Sequence, residues 1–532
     1  MCSKTLLEKR IQNLSKLVQT GDIGGALSVG RTIAGDFPNS ATVQNLLGII
    51  HYNLGNYLQA EKCYLKAVKL DPQHADAINN LGDTLNMLGR LQEAVLYYEK
   101  ATVFFPDRWT ILYNLGNVLS RMGQTKEALG QLEAAIALGC NSPEIFYNLG
   151  NIYGSLNKTE EAIKNYKTAI QRNFKYPQAH TNLGAILYKT ENYEDAERSL
   201  RRAISIDPSY AEAYNNLGNV FLENKQLLEA TTHYDKAVKC EPDLAEAIVN
   251  SGNVALKLSQ YEKSRKMCSR SLVLTPNHAA ALFFKGVALK QLKRHQEAIN
   301  CFNKVLLIDD KDILGAELQL VGLGQKELPA TTPKVYMKEF YRSVSKSWGE
   351  YSRQYNGHRL ITKAIVQSLP NVKSLRIIDL GCGAGTLAPF LRPLADTLFG
   401  VDISSDMLSK AAKTGLYDTL EEKEIVEFLT DNTSTYNLAV AAAVLIHFSA
   451  LEEVFEAVTA RLSPRGYFCF SIFQATEHDI ELTPFNMFSH AETYIDRLAE
   501  YFEYECIYRK LDIHEFQEDE SIFALVFVLK KV

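Results

Sequence analysis

No stretch of this 532-residue chain approaches the roughly 20 consecutive apolar residues that a membrane-spanning helix needs. The opening MCSKTLLEKRIQNL carries a charge every few residues and lacks the apolar core of a secretory signal. These two absences point to a cytoplasmic protein with no membrane partner. An excess of positive charge is also missing: 57 Lys and Arg stand against 62 Asp and Glu, and the net charge of −5 argues against a main business of gripping phosphate backbones. Nine cysteines are scattered, with no CxxC pair and no nearby histidine at zinc-finger spacing, which leaves no metal centre and fits a reducing compartment. There is no phosphate-binding P-loop and no Ser-His-Asp arrangement. What is present, 46% hydrophobic and 22% charged residues, is an ordinary soluble composition with ample material for large cores.

The dominant positive feature is a clock. Gly48, Gly82, Gly116, Gly150, Gly184, Gly218, Gly252 and Gly286 follow one another at intervals of 34 residues. Small residues recur twelve and nineteen positions after each glycine, as at Ala60 and Ala67, until Val305 breaks the rule in the last unit, and most units close on a dipeptide ending in proline. A polar break between the glycine and the first small residue separates two helical stretches. Each unit reads as a helical hairpin that buries its apolar faces only by stacking on its neighbours. Eight units fill 41–312, and a degenerate one at 7–40 has Leu14 at the glycine position, as an end cap would.

This pattern resembles the tetratricopeptide repeat in period, in its Gly and Ala positions and in the terminal proline. The resemblance implies an α superhelical solenoid whose first helices line a concave groove. Within each unit the sixth position reads Asn80, Asn114, Asn148, Asn182, Asn216 and Asn250, with Leu46 and Phe284 at the two ends. The ninth reads Asp83, Asn117, Asn151, Asn219 and Asn253, with Ala185 as the gap. Three apart on a helix means one face. The row is similar to the inner asparagine ladder in the repeat array of O-GlcNAc transferase, which implies a groove holding an extended peptide by its backbone. The other reading, that these amides only serve contacts between helices, stays open. A clamp for a C-terminal carboxylate would want cations near positions two, five and six, and the fifth position carries none.

The rhythm ends after residue 312. The stretch 313–328 predicts a helix capping the stack, PATTP punctuates the chain within a linker at 329–335, and strand-like runs then alternate with helical ones from 336 to 532. The runs LRIIDL, TLFGVDI, YNLAVAAA, GYFCFSI, YECIYRKL and SIFALVFVL predict a mostly parallel sheet between helices. The first ends in IDLGCGAGT, a glycine-rich turn between strand and helix, and the second ends in Asp402 about 20 residues later, positioned for ribose hydroxyls. The turn lacks the GxGxxG spacing of a dinucleotide site.

DLGCGAG followed by GVDISSDML resembles class I S-adenosylmethionine-dependent methyltransferases, and the wider text is similar to the methyltransferases that bacteria fuse to tetratricopeptide repeats. The fold this implies is an α/β Rossmann-like, seven-stranded methyltransferase domain after the solenoid. Carried over, Asp379, Gly381, Gly383 and Gly385 shape the cofactor turn, Asp402 binds the ribose, Met407 lies near the adenine, and Glu424 meets the adenine amino edge. The implied cofactor is S-adenosyl-L-methionine. Ala443 stands where many relatives carry an acid. His447 is a candidate base or a structural histidine, and His490 a helix-capping or substrate-contacting one. Cys382 reads as a small turn residue rather than a nucleophile. The segment SWGEYSRQYNGHRLI suggests a helical lid. The implied function is methyl transfer with the repeats recruiting a protein or peptide; an inactive peptide-binding scaffold and a small-molecule methyltransferase are the rivals.

Overall fold

A computed structural model of the chain describes residues 2–346, 348, 355–369, 373–517 and 520–532. Its contacts divide it into two compact units, Met1–Ala247 and Ile248–Val532.

The first unit is a stack of helical hairpins in the register of the glycine series. Ala41–Asn53 pairs with Tyr57–Leu70, Ala75–Met87 with Leu91–Phe104, and so on at the same spacing. The glycine has a defined packing role. A Cβ on Gly48 would lie 2.4 Å from the Tyr64 ring, and one on Gly82 or Gly150 would lie 2.7 or 2.5 Å from Tyr98 or Tyr166. Seven of the eight glycines are sockets for a large side chain sixteen residues on, Gly252 facing the smaller Cys268, and the buried Ala60 and Ala67 let the Gly48 hairpin close. In the degenerate first unit the two partners are exchanged: Leu14 is the buried large residue and Gly30 the small one, packed beside Leu47, Ile50 and Leu14. One continuous core runs from Ala60 through Leu81, Leu115 and Leu132 to Ile152. Stacking supplies that burial, as the repeat pattern predicts.

The turn inside each hairpin shows a regularity that the glycine series hides. The residues at 21, 55, 89, 123, 157, 191, 225, 259 and 293 all have φ between +56° and +79°. The first four are glycine; Asn157, Glu191, Lys225, Ser259 and Lys293 adopt the left-handed conformation with a side chain. That conformation costs about 1 kcal/mol for a residue with a Cβ.

In the second unit the hairpins continue through His295–Ile308. The helix expected over 313–328 is shorter, Ala316–Val321: Asp312 caps it by accepting the Ala316 and Glu317 N–H groups at 2.6 and 2.9 Å, and Gly322 and Gly324 end it. Ala316 and Leu320 cover the apolar end made by Leu282, Leu289 and Phe302. Lys334–Lys346 and Gly357–Ser368 are the helices ahead of the sheet.

The sheet comprises β1 (Leu375–Leu380), β2 (Ala395–Asp402), β3 (Thr419–Glu422), β4 (Tyr436–Ala441), β5 (Leu462–Gln474), β6 (Ile480–Leu482), β7 (Phe488–His490), β8 (Tyr504–Gln517) and β9 (Glu520–Lys531). The order is β3-β2-β1-β4-β5, continued by β9 and β8, with the short β7 and β6 branching from the end of β5. β1 to β5 are parallel neighbours, and β9 runs antiparallel to both β5 and β8. Strand order reverses between β1 and β4, so a crevice opens beyond their carboxyl ends. Alternate residues of β1 feed two cores, Ile378 and Leu380 one, Leu375 and Ile377 the other, so helices cover both faces.

Candidate active site

The crevice is built from the ends of β1, β2 and β4. After β1, Gly381, Gly383 and Gly385 take φ of +68°, +54° and +78°, conformations that favour glycine. They serve different ends. A Cβ on Gly381 would meet Val444 at 2.6 Å, and one on Gly385 would press on Tyr417 and Ala411, whereas one on Gly383 would meet nothing within 4 Å. Gly381 and Gly383 line the cavity; Gly385 lies behind it as a packing residue. The helix that follows is only Ala388–Leu391, with Pro389 in its first turn and Pro393 just past its end, so the turn itself rather than a long helix N-terminus faces the crevice.

Asp402, the last residue of β2, lines the cavity while its carboxylate accepts the Gly383 N–H at one oxygen and the Ser404 N–H at the other, both at 2.8 Å. Each oxygen keeps a lone pair. Burial pushes its pKa up to about 6, against the pull of these N–H groups. Asp379 is deeper: it is buried, accepts the Tyr417 hydroxyl at 2.7 Å, and is pushed up to about 7 by desolvation. Met407 is buried against the same space, its N–H bonded to the Ser404 hydroxyl. Glu424 also lines it, with its carboxylate engaged by the Val426 and Glu427 N–H groups as the cap of Ile425–Asp431. Burial raises the Cys382 thiol well above its ordinary range, which makes it a poor nucleophile.

On the far wall, β4 leads through Ala443 (φ +56°) into the turn Leu445–His447. His447 is buried, bonds Tyr341 Oη through Nε2 at 2.7 Å, and has no partner at Nδ1. Desolvation lowers its pKa to about 4, so it is neutral at pH 7. The segment after the repeats holds this turn from behind: the Thr332 N–H donates to the His447 carbonyl at 2.8 Å and the Ser449 N–H to Ala330 at 2.9 Å. His490 stands apart from the cavity lining; it is fully buried, meets the Ser449 carbonyl at 3.0 Å and stacks on Tyr494. Of the segment 347–361, where a helical lid was expected, 347 and 349–354 lie outside the described residues; Trp348, Tyr355 and His358 line the cavity, and from Gly357 the chain is a helix whose Leu360 and Ile361 are buried in the core.

Two contributors carried no sequence signal. Tyr341 arrives on Lys334–Lys346 and meets His447 across 106 residues. His514 on β8 lines the cavity, is buried, has no partner at either ring nitrogen, and is held near pKa 4 by desolvation. A lone histidine in a strand gives no hint of such an address.

The asparagine row has an explicit geometry. Asn114 Nδ2 donates to Asp83 at 2.9 Å, Asn148 to Asn117 at 2.7 Å, and Asn182 to Asn151 at 2.8 Å. These three sixth-position amides thus donate to the ninth position of the preceding unit, and Asn80, lacking such a mate, donates to Asn45 at 3.1 Å. The acceptors are shared with a core tyrosine of their own unit: Tyr166 donates to Asn151 and Tyr234 to Asn219, at 2.8 and 2.7 Å. Asn216 faces Ala185 in the series and Asn253 faces Phe284, and neither has a side-chain partner among the described residues. Asn250 belongs to the same row by register.

Comparison with known proteins matches residues 351–517 to a methyltransferase domain. Tetratricopeptide-repeat families match 39–102, 110–140, 150–225, 211–244 and 279–312. The chain carries tetratricopeptide repeats followed by a methyltransferase domain. It is 24% identical over 142 residues to the ubiquinone biosynthesis O-methyltransferase of Vibrio parahaemolyticus and 23% identical over 142 residues to that of Vibrio campbellii. These matches span 25% of this chain and 60% of each relative. Among solved structures, YrrB, described as a TPR protein with an unusual peptide-binding site, is 24% identical with a TM-score of 0.32, covering 35% of this chain and 97% of that one. A tetratricopeptide repeat protein from Parabacteroides merdae is 20% identical with a TM-score of 0.39, covering 46% and 96%. Among the described residues, no helix is long and apolar enough to cross a membrane.

Proposed function

We propose that the methyltransferase domain binds S-adenosylmethionine and methylates an acceptor presented at His447, and that the repeats recruit a protein or peptide, either substrate or adaptor. The observation that carries this reading is Asp402: a carboxylate at the end of β2, locked by two backbone N–H groups, with acceptor capacity left for a pair of ribose hydroxyls. The surroundings fit the rest of the cofactor. Open space above Gly383 admits a chain close to the backbone, while Met407 and Ile425 offer an apolar wall to an adenine ring. The cofactor, when bound, supplies an activated sulfonium methyl. The chain has to orient the acceptor and exclude water, and such positioning is worth about 7–11 kcal/mol. Neutral His447 serves a protic acceptor. In the tautomer whose Nε2–H donates to Tyr341 Oη, the Nδ1 lone pair is buried without a protein partner and would take the proton that the acceptor gives up.

Calorimetric titration with S-adenosylmethionine tests the reading, together with release of S-adenosylhomocysteine on a cell-extract acceptor. No heat with the intact chain, or binding untouched by Asp402→Ala, removes it.

A second reading, a small-molecule acceptor, is favoured by the aromatic and thioether side chains in the lining, Phe340, Trp348, Tyr355, Met337 and Met487. The activity for which the Vibrio relatives are named points the same way. Labelling extracts with tritiated cofactor separates the two, since counts enter either protein or small molecules. For the groove, the open amides of Asn216 and Asn253 are the positions best able to take a peptide backbone. Their joint change to Ala should weaken partner capture while leaving cofactor binding intact.

A further inference from the structure

The repeats contain a second, differently built cleft. It lies between the second helices Thr159–Arg172 and Tyr193–Ile206, floored by Leu183 and Leu187 of Pro177–Lys189, and encloses a cavity of ≈ 700 Å³. No asparagine of the row lines it. Ile170 and Phe174 supply apolar wall, and Phe174 is 57% exposed despite its size. Four cations stand around it, Lys167, Arg198, Arg201 and Arg202.

The 34-residue period provides an internal control. Two repeats earlier the same crevice recurs, lined by Glu99, Leu115, Leu119 and Glu127. At matching positions Lys167 replaces Glu99, Arg198 replaces Gly130, Arg201 replaces Glu133, Arg202 replaces Ala134, and Phe174 replaces Pro106. The scaffold supplies the crevice; across the eight units Phe174 and the cations Lys167 and Arg201 are particular to this place, whereas the positions of Arg198 and Arg202 are cationic elsewhere too, as at Lys266 and Arg270. The four cations of the cleft are also incompletely neutralised. Arg198 pairs with Asp195 at 2.8 Å and Arg201 with Glu197 at 2.7 Å. Lys167 and Arg202 meet no carboxylate among the described residues, and the Arg202 guanidinium lies 4.1 Å from the centre of the Phe174 ring. In a chain of net charge −5 this is a local reversal of sign, which attracts anionic segments and discourages others.

We propose that this cleft docks an acidic peptide segment of a partner protein, with one large apolar side chain seated against Phe174, Ile170, Leu183 and Leu187 and flanking carboxylates on Lys167 and Arg202. Docking here is independent of the methyl-transfer reading, and neither the Asp402 site nor the asparagine row takes part.

The test uses the full chain and a fluorescein-labelled synthetic peptide of glutamate and serine with one central Leu-Phe pair. Fluorescence anisotropy should show saturable binding that weakens about tenfold in Lys167→Glu/Arg202→Glu, and likewise in Phe174→Ala. High salt should weaken it as well. The counterpart with lysine for glutamate should not bind. All three substituted side chains are exposed, so circular dichroism should be unchanged. Glu99→Lys, two repeats earlier, should leave the affinity as it is. The proposal is overturned if the acidic peptide does not saturate, if the lysine peptide binds equally well, or if the double charge reversal binds like the native chain. Saturation by free dodecanoate but not by the peptide overturns it too, and assigns the cleft to a small amphiphile.

Discussion

The repeats and the methyltransferase cavity both contain rows of half-buried or buried polar side chains, and they treat them in opposite ways. Among the repeats, Asn148 answers Asn117 and Asn182 answers Asn151, so one amide's donor closes on another's acceptor. In the cavity, His447 keeps Nδ1 open and His514 keeps both nitrogens open. Leaving a buried polar atom unpaired costs about 1–3 kcal/mol, whereas a closed pair contributes about 0.5–1.5 kcal/mol. Polar groups that satisfy one another hold a structure together, and those left with open valence await something else. By this measure most of the asparagine row is at least a structural tie between repeats, and Asn216 and Asn253 are its two open positions.

The largest expected effect breaks the open side of the comparison. Asp402→Asn keeps the shape but gives up the charge, and should weaken S-adenosylmethionine binding by about 3 kcal/mol, roughly a hundredfold, in a calorimetric titration. Because burial places the Asp402 pKa at about 6, binding to the native chain should strengthen as pH rises through that value. Affinity independent of pH between 5 and 8 would remove the carboxylate from the site.

Next in size is the packing that carries the closed ladder. Gly150→Ala puts a methyl 2.5 Å from the Tyr166 ring and should cost about 1–3 kcal/mol in denaturant unfolding. Asn148→Ala with Asn182→Ala removes two ladder donors and should cost about 1–3 kcal/mol in total, while Asn216→Ala should cost almost nothing. Equal losses at all three would erase the distinction between closed and open amides.

Acid titration reads the cavity differently. His447, His490 and His514 are held at about 4 when folded, below 6.5, so the unfolded chain takes up protons first and their contribution to stability is lost as pH falls from about 6.5 to about 4. Asp379 and Asp402, raised to about 7 and about 6, act in the opposite direction: their contribution is present at low pH and lost as pH rises through those values. His514→Gln should therefore flatten the fall in melting temperature below pH 6.5, and Asp379→Asn should steepen it. The smallest effect belongs to the hairpin turns, where Lys225→Gly should add up to about 1 kcal/mol by relieving a left-handed lysine.

How much of this could be read beforehand varies with the range of the interaction. All six strand-like runs are strands of the sheet, since each carries its own apolar pattern. β3, the four-residue TLEE, was silent because three of its residues are exposed and only its pairing with β2 makes it a strand. β6 and β7, three residues each, exist through pairing with one another and with the end of β5. In the site, the glycine turn, Asp402, Met407 and Glu424 were legible because one short motif and its following strand carry them. Tyr341 and His514 were not, since helix and strand bring them in from opposite sides of the motif in the chain. His490 matched a motif and is buried away from the cavity, because its ring is occupied by Ser449 and Tyr494.

The 34-residue period, the recurring glycines and the change of grammar after residue 312 follow from the sequence by itself, because repeats and strands are local patterns in which each unit meets its neighbours at a constant offset. Which amides close on each other, which histidines stay open, and that the helices around Leu183 and Leu187 leave a crevice belong to the tertiary structure. Those properties depend on the orientation of side chains brought together over long stretches of chain, and a hydrogen bond is decided by tenths of an ångström.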